Sequence, residues 1–434
     1  MTILIKDCAA ITMSTPLVRR GVSIAIAEGR ITKISSDSNL FVSERFDKVM
    51  DGKNKLALPG FVNAHTHLPM VLLRGYADDQ NLQRWLAEEI WPAEKKLTEE
   101  DVYWASLVGI AEMLRSGTTT FSDMYFFMDA VAQAVKESGM RALLAYGVIA
   151  PQPGAKADQE LKITEDFLKR WHGQANGRIR VAAASHAPYT CCDEVWRCAK
   201  SLAIQYNTLI HTHLQETRTE VDSSLKAFGR TPTERLEALG VFEAPTLAAH
   251  GVHLRDSDLE ILKRQDVRLA HCPTSNLKLG SGIATVSKWR QAQLKVGIGT
   301  DGAASNNNLD MLEETRLAAL LAKTNDPTAL PASEALEMAT LGGARALDFN
   351  DVGLLEEGRR ADIALFDMQG VHWVPGFNPV SDLIYAAASA DVETVIVNGQ
   401  ILMEQREIKS FDEEKAKARV HQLRAKYQKE NSKN

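Results

Sequence analysis

The chain has 434 residues, 45% hydrophobic and 24% charged, with a formal net charge of −6. That length supports a large core plus an accessory unit, and the acidic balance excludes the basic field that nucleic-acid phosphates require. No run approaches the roughly 18 consecutive apolar residues of a membrane span. The start, with Lys6 and Asp7 inside a short alternating segment, does not read as a signal peptide. Five scattered cysteines, with Cys191 and Cys192 adjacent, read as reduced thiols of a cytoplasmic protein and not as a disulfide framework.

In chain order, residues 23–27 and 30–34 alternate around Glu28-Gly29, which predicts a hairpin. From residue 57 the pattern changes. Apolar strands near 57–67, 118–124, 141–150, 178–187, 207–215, 246–254, 267–274 and 295–301 alternate with helical segments. Eight such units predict a (β/α)8 TIM-type barrel, whose active site lies at the C-terminal strand ends. One intervening helix is punctuated by Thr98 and Asp101 as a capping box. Its face is Tyr103, Leu107, Ile110 and Leu114, and Gly117 closes it. Residues 362–366, 394–397 and 400–403 return to strand grammar, the last two around Asn398-Gly399. The expected organisation is a small β-sandwich-like domain from residues 1–56 and 360–410, a barrel over 57–359, and a charged C-terminal helix over 411–434. In that helix Glu413 and Lys417 form an i,i+4 pair, and Val420, Leu423 and Tyr427 pack.

His65-Thr66-His67 closes the first predicted barrel strand, so both imidazoles face the same way. His213 ends strand five, His250 strand six and Asp301 strand eight. A single histidine at a strand end is more often a satisfied core residue. Ligand types at several strand ends of one barrel rim are not. His65, His67, His213 and Asp301 offer three nitrogens and one carboxylate, a set that suits one Zn²⁺ per subunit, with Fe²⁺ as the other candidate. His211 repeats the pattern on strand five. His213 is the chosen ligand because Glu216 follows it at i+3, and His211 is read as buried and structural.

The stretch Pro59-Gly60-Phe61-Val62-Asn63-Ala64-His65-Thr66-His67, then His213-Leu214-Gln215-Glu216 and Gly299-Thr300-Asp301-Gly302, resembles the amidohydrolase superfamily. Within it the chain is similar to the 5′-methylthioadenosine/S-adenosylhomocysteine deaminases. That likeness rests on Trp91-Pro92-Ala93-Glu94, Ser185-His186-Ala187-Pro188-Tyr189, Ser275-Asn276-Leu277-Lys278-Leu279-Gly280 and Asp301-Gly302-Ala303-Ala304-Ser305-Asn306-Asn307. The resemblance spans nearly the whole chain. It implies hydrolytic deamination of a small nucleoside by a homo-oligomeric enzyme. Strand four carries no lysine between Arg178 and Arg197, so the carboxylated lysine of binuclear members has no counterpart, which favours a single metal.

The implied reaction replaces the C6 amine of adenine with water. Zn²⁺ lowers the pKa of a bound water toward about 7. Glu216 is the expected proton shuttle from the attacking water to ring N1 and then to ammonia. Asp301 and His250 orient the attacking oxygen. By resemblance, Glu94 accepts hydrogen bonds from both ribose hydroxyls and His186 hydrogen-bonds the purine. Glu216 and Asp301 also face the substrate. Trp85, Leu86 and Trp91 suit an apolar 5′-thioalkyl group, though tryptophans are as often plain core. Members that accept S-adenosylhomocysteine grip its carboxylate with arginines near strand three. Residues 148–165 contain none, so methylthioadenosine is the expected preference over S-adenosylhomocysteine or adenosine.

Two other readings stand beside this one. Another mononuclear amidohydrolase, such as a guanine or cytosine deaminase or a triazine hydrolase, would share the metal ligands. A non-catalytic barrel scaffold would lose them. The run Gly297-Ile298-Gly299-Thr300-Asp301-Gly302 satisfies GxGxxG, but it starts inside the last strand with no first βαβ unit around it. Its glycines are expected to admit Asp301 to a crowded site. His253 and Cys272 are read as structural, and His271 as a supporting group.

Overall fold

A computed structural model of the chain describes residues 1–42 and 44–427. Eight parallel strands close a barrel: Phe61–Thr66, Thr118–Tyr125, Arg141–Tyr146, Ile179–Ala184, Ile210–Leu214, Thr246–His250, Arg268–His271 and Lys295–Ile298. Closure is made between the last and first strands, where Ile298 pairs with Asn63. All eight predicted strands are present. The first expectation, 57–67, joined two strands that belong to different sheets. Lys55–Pro59 runs antiparallel to Ile363–Asp367 in the accessory sheet, and only Phe61–Thr66 enters the barrel. Gly60 makes the crossing. A Cβ there would lie 2.0 Å from Thr119 Cγ2, so an apolar run that looks continuous in sequence changes sheets at a point where no side chain fits.

The two chain ends build one nine-stranded sheet. Its order is Glu407–Ile408, Gln400–Glu404, Val392–Val397, Ile363–Asp367, Lys55–Pro59, Ile3–Ile11, Val18–Ala27 and Arg30–Ser35, with Lys48–Asp51 also pairing to Ile3–Ile11. Both predicted hairpins form. Glu28 and Gly29 have φ of 51° and 75°, and Asn398 and Gly399 have 50° and 72°. Two consecutive positive φ values match the twist of a two-residue hairpin. One face of this sheet buries Ile3, Ile5, Ile24, Ile26, Ile31 and Ile363 as a core of its own.

The helix Glu99–Arg115 carries the expected capping box: Asp101 N donates to Thr98 Oγ1 and Thr98 N to Asp101 Oδ2. The C-terminal helix Glu413–Tyr427 packs across it. Arg115 pairs with Glu413, and the buried Tyr427 donates to Asp101 Oδ2 at 2.8 Å. The predicted tail beyond residue 427 lies outside the described residues. Among the described residues, no helix is long and apolar enough to cross a membrane. All five cysteines are unpaired, four of them buried.

Candidate active site

The barrel strands deliver their polar residues to one rim. His65 lies inside the first strand and His67 follows it. His213 and His250 sit at the ends of strands five and six, and Asp301 comes three residues after Ile298. The approach of the last strand depends on missing side chains. A Cβ on Gly299 would lie 2.7 Å from His65 N and 2.8 Å from His65 O, and one on Gly302 would meet Met70 Sδ at 2.6 Å. The glycines therefore serve close packing around Asp301, whose N donates to His65 O and whose φ is 60°.

The ring tautomers follow from their partners. His67 Nδ1 donates to Met124 O at 2.5 Å, and His213 Nδ1 donates to His186 O at 2.7 Å. A carbonyl can only accept, so in the neutral rings both Nε2 atoms carry lone pairs. Those two Nε2 atoms lie 3.2 Å apart, and His67 Nε2 lies 3.2 Å from Asp301 Oδ1. Lone pairs this close repel unless a cation lies among them. His65 Nε2, 3.4 Å from the same Oδ1, is buried without a hydrogen-bond partner, and so is Asp301 Oδ1. Ligand atoms of His65, His67 and His213 lie within 4.8 Å of one another, as do those of His65, His250 and Asp301. Orphaned buried donors and acceptors of this kind cost stability without a partner. The residues fit a divalent metal, with each imidazole oriented through its other nitrogen.

His211 is buried, as expected. Its Nε2 meets His65 Nδ1 at 2.9 Å and its Nδ1 meets Ser122 Oγ at 3.3 Å. Burial holds His65 down to about 4 and pushes His211 and His213 well below the usual imidazole range, so all three are neutral at pH 7. Burial would favour the protonated form of Asp301, but the surrounding histidines outweigh it and keep the carboxylate ionised. Its second oxygen accepts from Ser275 Oγ at 2.5 Å and Ser305 Oγ at 2.9 Å.

Glu216 and His250 stand beside this cluster. Glu216 Oε2 is 3.8 Å from His250 Nε2, and Ser281 Oγ donates to Glu216 Oε1 at 3.2 Å. His250 Nδ1 donates to Asn276 Oδ1 at 2.9 Å, which points Nε2 toward the carboxylate. Burial raises the Glu216 pKa, with Asp301 adding to the shift. Burial also opposes a charge on His250, but Glu216 and Asp301 outweigh it and its pKa rises.

A cleft opens over these groups. Glu94 and His186 line it together with His67, His213, Glu216, His250 and Asp301, so the structure gathers every predicted site residue except the buried His65 around one cleft. Burial pushes Glu94 up to about 7, partly countered by the facing Tyr125. Burial takes His186 down to about 3, and its Nδ1 meets Thr190 Oγ1 at 3.0 Å. Trp85, Leu86 and Trp91 all line the cleft, on the long segment after the first strand.

Sequence reading missed Tyr125, Phe126, Ile149 and Tyr189, which also line it. Tyr125 ends the second strand, and the others follow strand ends with no spacing to mark them, although Tyr189 stands in a quoted motif. It also missed the roles of Ser275, Asn276 and Ser305, although they stand in two of the quoted motifs. The available signal was a polar residue soon after a strand end: Ser275 and Asn276 stand four and five positions after His271, and Ser305 seven after Ile298. His253 is structural, donating from Nε2 to Ser281 O at 2.7 Å. Cys272 is buried, and burial raises its thiol well above its ordinary value. His271 packs edge-on against Trp289, and its Nδ1 has no hydrogen-bond partner.

The amidohydrolase family model matches residues 56–402. A 5-methylthioadenosine/S-adenosylhomocysteine deaminase of Pelotomaculum thermopropionicum is 49% identical over 419 residues, 96% of each chain. Its counterpart from Moorella thermoacetica is 48% identical over 421 residues, covering 96% of this chain and 98% of the relative. Among solved structures, a zinc-bound adenosine deaminase from Xanthomonas campestris superposes with a TM-score of 0.93 at 36% identity, over 98% of each chain. A zinc complex of an atrazine chlorohydrolase from Arthrobacter aurescens gives 0.89 at 27% identity, over 97% of this chain and 100% of the other.

Proposed function

We propose that this chain, which belongs to the amidohydrolase family and within it to the 5-methylthioadenosine/S-adenosylhomocysteine deaminases, hydrolyses the C6 amine of 5′-methylthioadenosine to give the inosine analogue and ammonia. The observation that carries this reading is the convergence of these groups on one cleft. His67 and His213 form a cation-sized group with the buried His65, as do His250 and Asp301 with the same His65, and the cleft that His67, His213, His250 and Asp301 line also holds Glu216, Glu94 and an apolar lining. His65, His67, His213 and Asp301 would hold one Zn²⁺, which when bound supplies a nucleophilic water at neutral pH.

The chain's own residues do the rest. Glu216 takes the proton of the attacking water, passes it to ring N1, and then helps ammonia depart. A carboxylate with a raised pKa suits both taking and giving that proton near pH 7. Ser281 holds one of its oxygens, and His250, fixed by Asn276, faces the other. Asp301, fixed by Ser275 and Ser305, orients the attacking oxygen at C6. Glu94 accepts from the ribose hydroxyls, and neutral His186 hydrogen-bonds the purine. Trp85, Leu86 and Trp91 cover the thioalkyl group and exclude water.

The preference within the substrate class is for the methyl thioether. No arginine is among the described residues lining the cleft. A neighbouring groove beyond Tyr189 contains Arg197 and Arg235. The Arg235 guanidinium is engaged by Pro188 O at 2.9 Å and Asp193 Oδ1 at 2.7 Å, and Arg197 lies 3.9 Å from the other oxygen of Asp193. The reduced, unpaired cysteines suit work in the cytoplasm.

Loss of adenine absorbance on methylthioadenosine, adenosine and S-adenosylhomocysteine tests the reading. The expected order of kcat/KM places methylthioadenosine first. Glu216→Gln is expected to cut kcat by about 10²- to 10⁴-fold with metal still bound. An advantage for S-adenosylhomocysteine would refute the preference, and ammonia release only from a free base or a triazine would refute the reaction.

A further inference from the structure

Side chains alternate along a strand. His211 and His213 therefore share a face with residue 215, and residue 216 belongs to the opposite one. Glu216 nevertheless lines the cleft beside His213. The chain reverses its facing at Gln215, whose φ is 48°. A non-glycine residue stays in this left-handed region only where surrounding contacts hold it there.

Two sets of contacts do so. Every polar atom of the buried Gln215 side chain is engaged. Nε2 donates to His253 O and Asp258 Oδ2, both at 3.0 Å. Oε1 accepts from Thr233 N at 3.1 Å and Thr233 Oγ1 at 2.5 Å. On the backbone, Gln215 N donates to Glu220 Oε1 at 3.1 Å, and Glu216 N donates to Glu220 Oε2 at 3.0 Å. One buried carboxylate thus grips two consecutive N–H groups, the concave arrangement in which backbone donors bind an anion. Glu220 is itself set in place on the helix Arg218–Phe228, where its N donates to the capping Thr217 Oγ1 at 3.2 Å.

We infer that Glu220 is a positioning residue for the proposed deamination: its two oxygens lock the turn at Gln215 and Glu216 so that Glu216 faces His250 and Ser281. This rests on Glu216 being the proton carrier. Glu220 is not among the residues that line the cleft, and its two oxygens accept from the main-chain N–H groups of Gln215 and Glu216. Its effect passes through the Glu216 main chain.

Glu220→Gln tests it, because the variant keeps the shape but sets an amide donor against one of the two N–H donors. The expected result is a kcat on methylthioadenosine about 100-fold lower, the scale of a misplaced catalytic group, with KM and bound metal unchanged. Added to Glu216→Gln, the same change should cost nothing more, whereas an independent structural role would multiply the losses. A crystal structure of Glu220→Gln should show the Glu216 carboxylate withdrawn from Ser281 and His250. If Glu220→Gln does not fold, Glu220→Asp, which keeps both acceptors one methylene short, carries the same comparisons. Unchanged kcat, multiplying losses in the double variant, or an unmoved Glu216 would overturn the inference. A wild-type protein inactive on methylthioadenosine would instead sink the proposed reaction. The crystallographic comparison would then still decide whether Glu220 sets the Glu216 orientation.

Discussion

At the scale of single residues, the cleft separates two carboxylates by environment. The histidines around Asp301 hold its pKa well below the ordinary carboxylate value, whereas Glu94 is raised to about 7 by burial. Ionised Glu94 presents both oxygens as acceptors to two hydroxyl donors, whereas protonation turns one of them into a donor. Binding of the inosine product, which needs no catalysis, should therefore weaken by about tenfold for each pH unit below 7, as the fraction of ionised carboxylate falls. Calorimetric titration between pH 5.5 and 8 reads this directly. Glu94→Gln should bind weakly at every pH with a flat profile, and a profile unchanged by that substitution would remove Glu94 from ribose recognition.

At the scale of elements, the segment between the first strand and the helix Glu99–Arg115 carries Trp85, Trp91 and Glu94 over the cleft. It is tied down from across the mouth. Lys278, on the helix Pro273–Lys278 after the seventh strand, pairs with Asp78 at 2.5 Å and donates to Ala304 O at 3.3 Å and to Asn307. One lysine thus joins the segments after strands one, seven and eight. Lys278→Met should raise KM by up to about fivefold, the worth of a partly exposed ion pair, with kcat nearly kept because Asn276 and Ser275 still hold His250 and Asp301. Steady-state kinetics of Lys278→Met and Asp78→Asn should agree. A fall in kcat at constant KM would place Lys278 in the proton-transfer machinery instead.

At the scale of the whole molecule, barrel and accessory sheet are joined by a buried ion pair. Arg141, on the third barrel strand, donates to both oxygens of Asp362 at 2.8 and 3.2 Å, and Asp362 Oδ1 also accepts from Asn398 N at 2.7 Å. Both side chains are 3% exposed or less. Removing one partner leaves an uncompensated charge in the interior. Arg141→Leu should cost about 3–5 kcal/mol in urea unfolding, and the paired replacement Arg141→Leu with Asp362→Leu should cost less than that single change. A single variant as stable as the parent would show that the two units are held by apolar contact alone.

Much of this was legible in residue order, for physical reasons that act locally. Alternation around Glu28-Gly29 and Asn398-Gly399 reports hairpins because two-residue turns demand positive φ. His65 and His67 announce a shared face because a strand repeats every two residues. What lay beyond the sequence depends on packing between distant segments. The apolar run around Gly60 is continuous in letters, yet it is divided between two sheets by the side chain of Thr119. Glu216 counts three from His213 and by alternation faces away, and only the left-handed Gln215, held by Glu220 across a turn, brings it back. Local order specified which groups the rim would carry. The tertiary contacts decided where each one points, because a backbone conformation that is unfavourable alone persists only when separate elements of the fold hold it in place.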